Sequence, residues 1–426
     1  MAAPAPHGRY GRGVRTNWSG TVAFEQPLVL PTSLDEVRSL VREQERVLAV
    51  GSAHSFSRAA VSSGLHLGTE DLPADVAVAT DRSTVTVSAG MRYAELGRAL
   101  HVHGLALAAM ASLPHISVGG AVATGTHGSG DAIGTLSSAV TALQVVTPDG
   151  DVREVRRSDA DFAGWVVALG ALGIVTSVTL AVEPTYEVAQ SVLLGLDLDE
   201  VESNFDAVFG AATSVSVFTR WRPEPDAQLW LKRRVDREGA WTGAPNFGAQ
   251  ASERKMHPLE DLDPVHCTEQ LGHAGPWHER LPHFKAEFTP SSGDEIQAEY
   301  LLPRVRAVEG IRAVRAMADR ITPLLHVTEI RTMRADDLWM SPAYGHDTVG
   351  IHFTWHKDER IFDVLPAIED ALLPLGARPH WGKVTCATPA QLVAAYPHID
   401  DFRGLVNAVD PRGKCRSIVV DSLMSA

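Results

Sequence analysis

Short apolar runs broken by single charged or hydroxyl residues recur along this chain, and their spacing switches repeatedly between helical and strand periods. Leu34, Val37, Leu40 and Val41 lie on one helical face behind Ser33-Leu34-Asp35-Glu36, which reads as a capping box, so a helix is expected there. It leads into an apolar strand, Val47 to Val50. Thr84 to Ser88 alternates as a strand, and Tyr93 to His101 reads as a helix. Thr141 to Val146, Pro148-Asp149-Gly150 and Val152 to Val155 read as a hairpin. Ala163 to Val182 is uncharged over 20 residues and long enough to raise a membrane span. Gly164, Gly170, Gly173, Thr176, Ser177 and Thr179 interrupt it and its second half is β-branched, so a short helix, a glycine turn and a buried strand are expected instead.

After about Glu183 the chain becomes richer in tryptophan, histidine and proline, which places a domain boundary there. Gly239 to Ala251, with Pro245 next to Asn246, reads as an irregular loop. Further on, Glu329 and Arg331 are two apart, as are His352 and Thr354, so on strands each pair shares a face. Charged pairs of that kind are usually solvated.

Composition narrows the class. At 426 residues two domains are expected, and 45% hydrophobic with 21% charged residues is the balance of a soluble globular protein. A formal net charge of −14 opposes binding to nucleic acid or anionic lipid. Cys267, Cys386 and Cys415 are widely spaced and odd in number, which argues against a disulfide framework and suits a reducing cytoplasm. Met1 to Trp18 has Arg9, Arg12 and Arg15 and no apolar core, unlike a secretory signal, so the Asn17-Trp18-Ser19 glycosylation match is read as chance.

Two segments carry candidate chemistry. Gly51-Ser52-Ala53-His54-Ser55 follows the first strand as a loop of small residues around one histidine. Small residues let backbone N–H groups approach a diphosphate, and the imidazole can reach an electrophilic carbon. Ser112 to Gly130 is again rich in glycine and hydroxyls and nearly free of charge, suited to lining a long anionic cofactor without lysine.

With these two segments the chain resembles the flavoprotein oxidases of the vanillyl-alcohol oxidase superfamily, and within it the alditol oxidases. Gly170 to Thr176, Lys232-Arg233-Arg234, Pro276 to Phe284, Glu329-Ile330-Arg331 and Arg378 to Lys383 extend the match almost end to end. The resemblance implies an α+β, two-domain fold: an FAD-binding domain over 1–183, a substrate cap with a large antiparallel sheet over 184–375, and a segment, 376–426, returning to the flavin. It implies FAD joined covalently through His54, with Ser112, Ser117, Gly119, Gly120, Thr124, Gly125, Thr126 and His127 around the cofactor and Gly173, Ile174 and Val175 near its adenine side. Ser112, Gln297, Glu329, Arg331, His352, Thr354 and Lys383 fall at its polyol-site positions. Lys383 and Arg331 are the expected catalytic residues, Lys383 also lying near the flavin, either as stabiliser of the reduced flavin or as proton acceptor. The implied reaction is oxidation of the terminal hydroxyl of xylitol or sorbitol, with O2 reduced to hydrogen peroxide, by a monomer.

The chain departs from the family at Ala53, where glycine is frequent, and at Cys415 and Ser417, which put the last flavin or packing contacts in question. Alternatives are a sugar-lactone oxidase or dehydrogenase of the same superfamily and a flavin-binding protein without turnover. Gly376 to Lys383, His278 to His283 and Gly128 to Gly134 miss the phosphate-loop, zinc-protease and dinucleotide spacings, so neither a metal nor a nicotinamide site is expected.

Overall fold

The computed structural model describes residues 9–11, 15–287 and 294–426, so most of the Met1–Trp18 reading lies outside the described residues. The expected helix spans Leu34–Glu43 and buries Val37, Leu40 and Val41. Ser33 caps it by accepting from the Glu36 amide at 3.3 Å, but the Glu36 carboxylate does not close the box on Ser33. It reaches one residue further, accepting from the Thr32 amide at 2.9 Å and the Thr32 hydroxyl at 3.2 Å, because two donors there outcompete one.

Strands Arg9–Gly11, Leu28–Leu30, Leu65–Leu67 and Val47–Ala49 form a first sheet in that order, parallel across its last three members. A second, antiparallel sheet runs Val152–Arg156, Val140–Val146, Ile174–Ala181, Thr84–Ser88, Val76–Val78. The uncharged stretch resolves as helix Phe162–Val166, a turn with Gly170 at φ 78°, and strand Ile174–Ala181. Among the described residues no helix is long and apolar enough to cross a membrane.

The third sheet is the largest, with nine strands. Its centre is Ala227–Arg234, Ser214–Thr219, Leu325–Met333, Thr348–His356 and Glu295–Pro303, all antiparallel. One face is apolar: Val217, Ile330, Ile351 and Ala298 pack against helices Ala307–Arg315 and Ile361–Leu372. The opposite face carries the polar residues and turns toward the first two sheets. Most of Gly239–Ala251 is irregular as expected, but Gln250–Ala251 pairs with Leu193 and Leu194 at the sheet edge.

Beyond Gly376 the chain crosses back. Arg378–Pro379 pairs with Tyr300 and Leu301 of the large sheet, and Leu392, Tyr396, Phe402 and Val406 then pack into the same core as Val85, Leu96 and Trp165. Cys415 is fully buried against Val41, Val47 and Val146, while Ser417 caps helix Ile418–Ser425. The two atypical residues therefore fill packing and capping roles. Asn17 is likewise structural: its buried amide holds Ser19, Thr21 and the Ser55 carbonyl. All three cysteines are free thiols.

Candidate active site

The two glycine-rich segments meet because their serines latch them together. Ser52 Oγ accepts from the Ser117 amide at 3.1 Å, and Ser117 Oγ accepts from the Ser52 amide at 3.2 Å. A Cβ on Gly51 would lie 2.3 Å from Ser117 Oγ, so this latch needs glycine. Ala53 adopts φ 54°, a left-handed conformation in which a methyl group is strained, which explains glycine's suitability at this turn. His54 stacks on Trp18 with ring centroids 5.7 Å apart, and its Nδ1 is buried without a partner. Burial, with Arg92, His115 and Lys383 adding positive charge nearby, pushes its pKa down to about 4, so the ring is a neutral nucleophile.

A cavity of about 430 Å³ runs from this loop to the polar face of the large sheet. Nearly every residue singled out in the sequence contributes to its wall, from Gly51–Ser55 and Thr124 to Glu329, Arg331 and Lys383. Ser117, Gly125 and Ile174 stand off the wall. Ser117 is spent on the latch, Gly125 turns the chain at φ 64°, and Ile174 is a core residue beside Val146.

Strand register assembles the opposite wall. Phe218 pairs with Glu329, Glu329 with His352, and His352 with Glu299, giving one row across four strands. The next row contains Gln297, Thr354 and Val327. Far from a solvated face, Glu329, Arg331 and His352 are buried. Arg331 lies 2.7 Å from Glu299 Oε1 through Nη2, 3.4 Å from Glu329 Oε2 through Nη1, and 3.3 Å from the Ser112 hydroxyl. Burial disfavours ionisation of both carboxylates, but Arg331 with the adjoining histidines outweighs it and holds both below the usual range. Lys383 donates to Gln297 Oε1 and stands 5.1 Å from the Phe56 ring centroid. Burial, reinforced by Arg331, pushes its pKa down to about 8.

Known proteins match this arrangement along its length. Residues 26–156 match the FAD binding domain family, and residues 294–422 match the D-arabinono-1,4-lactone oxidase family. An alditol oxidase of a Streptomyces species is 44% identical over 415 residues, covering 96% of this chain and 98% of the relative. The chain belongs to the alditol oxidase family of FAD-linked oxidoreductases. An L-gulono-1,4-lactone dehydrogenase of Mycobacterium tuberculosis is 28% identical, covering 93% of this chain and 95% of its own. Cholesterol oxidase from B. sterolicum shares the fold at a TM-score of 0.79 and 16% identity, over 100% of this chain and 99% of the other.

The residues present fit the cofactor this alditol oxidase family uses. The unpartnered His54 Nδ1 and the small-residue wall at Gly51, Gly119 and Gly120 offer a nucleophile beside a close backbone approach. At Gly173, φ 129° and a Val146 carbonyl 2.3 Å from any added Cβ exclude a side chain near the other end.

Three site residues had no role assigned from sequence. Glu299 follows Gln297 by two, so the alternation that puts Gln297 on the site face puts Glu299 there as well; that signal was available. His283 and His380 come from irregular segments, and only tertiary contacts show that they face the same carboxylates. His127, Glu299 and His380 present ligand atoms within 4.8 Å of one another, the one such metal-competent group among the described residues. Arg331 sits on the same Glu299 oxygen and places a fixed positive charge against any cation.

Proposed function

We propose that this chain is an FAD-dependent alditol oxidase that converts the terminal primary hydroxyl of an extended polyol, such as xylitol or sorbitol, to the aldose. The observation that carries the reading is the buried row of Glu329, His352 and Glu299 around Arg331, next to Lys383, at the end of the cavity facing the His54 loop. FAD, when bound, supplies hydride acceptance at N5 and passes the electrons to O2, giving hydrogen peroxide. Lys383, with its pKa near 8, takes the proton from the reacting hydroxyl. Arg331 and Ser112 stabilise alkoxide character as it develops. Glu329 accepts from the adjacent hydroxyls, and Gln297, His352 and Thr354 hold those further along. An apolar alcohol leaves these buried groups unpaired and is rejected.

His54 is the attachment point for covalent FAD in this reading, supported by its neutral ring and free Nδ1. The same reading divides the chain into a cofactor domain over 1–183, a cap over 184–375 and a returning segment from 376, working as a monomer in a reducing cytoplasm. Its free thiols are compatible with that compartment. Oxidation of a sugar lactone is the competing reading, and the 44% alditol oxidase match against 28% for a lactone dehydrogenase favours the polyol. The test is the visible spectrum of the purified holoprotein under anaerobic conditions. Xylitol is expected to bleach the flavin band; bleaching by L-gulono-1,4-lactone but not xylitol would replace the polyol reading with the lactone one.

A further inference from the structure

Two sequence blocks, Lys232-Arg233-Arg234 and Pro276 to Phe284, have no part in the chemistry above, yet they meet beside Glu329, where His283 and Phe284 join the cavity wall. Lys232 lies on strand Ala227–Arg234, opposite Ser214, and is 1% exposed. Its Nζ donates to the carbonyls of Leu281 and, at 3.1 Å, Pro282. The next residue, His283, is also buried and is hemmed in edge-on by Phe218 and Trp230, each ring centroid 5.3 Å away. Its Nε2 stands 3.1 Å from Glu329 Oε1, while Nδ1 is buried without a partner. A neutral imidazole has a single N–H, so the carboxylate receives it from Nε2. The Ser216 hydroxyl adds a second bond to the same Oε1 at 2.7 Å. From the other side, the His283 amide donates to the Ser112 carbonyl at 3.1 Å.

We propose that His283, locked in place by Lys232, is a positioning residue for polyol selectivity, fixing Glu329 so that Oε2 is the edge left to receive substrate hydroxyls. The proposal rests on the polyol reading and adds how that site discriminates. Oε1 accepts from both His283 and Ser216, whereas the ion-pair partner of Oε2 among the described residues is Arg331, at 3.4 Å. A carboxylate free to rotate would present either oxygen and lose the defined angle that two vicinal hydroxyls need. The groups facing His283 are Lys232, Glu329 and Arg331, and burial with the Lys232 charge keeps the ring neutral, its pKa pushed down to about 4. The ring therefore acts as a fixed donor across the working pH range rather than as a switch. Lys232 reaches the site only through the main chain of Leu281 and Pro282, which makes it a clamp on the segment.

The test uses the flavin-loaded full chain and compares wild type, His283→Leu and His283→Gln with xylitol and with 1,4-butanediol, a substrate with no hydroxyl vicinal to the reacting one. In His283→Leu, KM for xylitol is expected to rise tenfold or more, with a smaller fall in kcat, while the diol changes much less. His283→Gln, which can still donate to Glu329, is expected to recover at least half of that loss on a logarithmic scale. Equal losses for both substrates, or no recovery in His283→Gln, would overturn the proposal. If wild type does not turn over xylitol, the polyol reading fails. Histidine-nitrogen NMR then decides the positioning separately. An Nε2 proton in the hydrogen-bonded range that is lost in Glu329→Leu supports it, and an Nδ1 tautomer refutes it.

Discussion

Arg331 donates from Nε at 3.2 Å and from Nη2 at 2.7 Å to one oxygen of Glu299, and neither side chain is more than 7% exposed. Gly350, opposite Arg331 in the strand register, leaves room for this contact, since a Cβ there would come 3.1 Å from the same Glu299 oxygen and crowd it. Burying a pair this deeply is expensive, and removing one partner leaves the other charge unmatched. Glu299→Gln is expected to destabilise the fold by about 3 kcal/mol. Urea denaturation measures it, and a change below about 1 kcal/mol would show that Glu329 alone suffices to balance Arg331.

With Lys383 as the base of the proposed reaction, turnover is expected to depend on pH with a defined sign. Its pKa, pushed down by burial to about 8, lets the neutral amine accumulate as pH rises through that value, so kcat/KM is expected to climb on a limb centred near 8 and then level. Lys383→Ala should lower the rate by about 10²–10⁴-fold and abolish the limb. A rate that falls through pH 8 in wild type would instead assign the charged ammonium as the active form. The same shift bears on stability: the folded pKa is below the ordinary lysine value of 10.5, so between about 8 and 10.5 the unfolded chain binds more protons and this group's contribution to stability rises with pH.

His54→Ala should separate attachment from binding. The variant is expected to retain a flavin-shaped cavity and release its yellow colour into the supernatant on acid precipitation, whereas wild type keeps the colour in the pellet. Colour retained in the variant pellet would move the attachment point to another residue.

At Ala53 the methyl group sits at φ 54°, which costs an L-residue roughly 1–2 kcal/mol, offset in part by the greater freedom of glycine in the unfolded chain. Ala53→Gly is thus expected to stabilise the protein by about 0.5–1 kcal/mol, read as a higher Tm. A lower Tm would mean that contacts of the methyl group outweigh the strain.

Local pattern was enough for the elements with regular spacing and for the side chains that share a strand face. Periodicity specified the helix at Leu34–Glu43, the hairpin of Val140–Val146 with Val152–Arg156, and the helix–turn–strand resolution of the uncharged stretch, because each depends on spacing within a few residues. The two-residue spacing of Glu329 and Arg331, and of His352 and Thr354, told that each pair shares a face. It could not tell which face is buried, since that depends on what the sheet packs against. Nor could it predict that Phe218, Glu329, His352 and Glu299 fall in one row, because register between strands separated by long intervening segments is a long-range property. The chain itself determined the loops of small residues, the histidine among them and the family to which it belongs. Only the tertiary structure decided that His283 reaches Glu329 from an irregular segment held by Lys232, and that burial rather than sequence neighbours sets the ionisation of Lys383. Desolvation and cross-strand contact arise when distant segments exclude water together, and no local pattern encodes them.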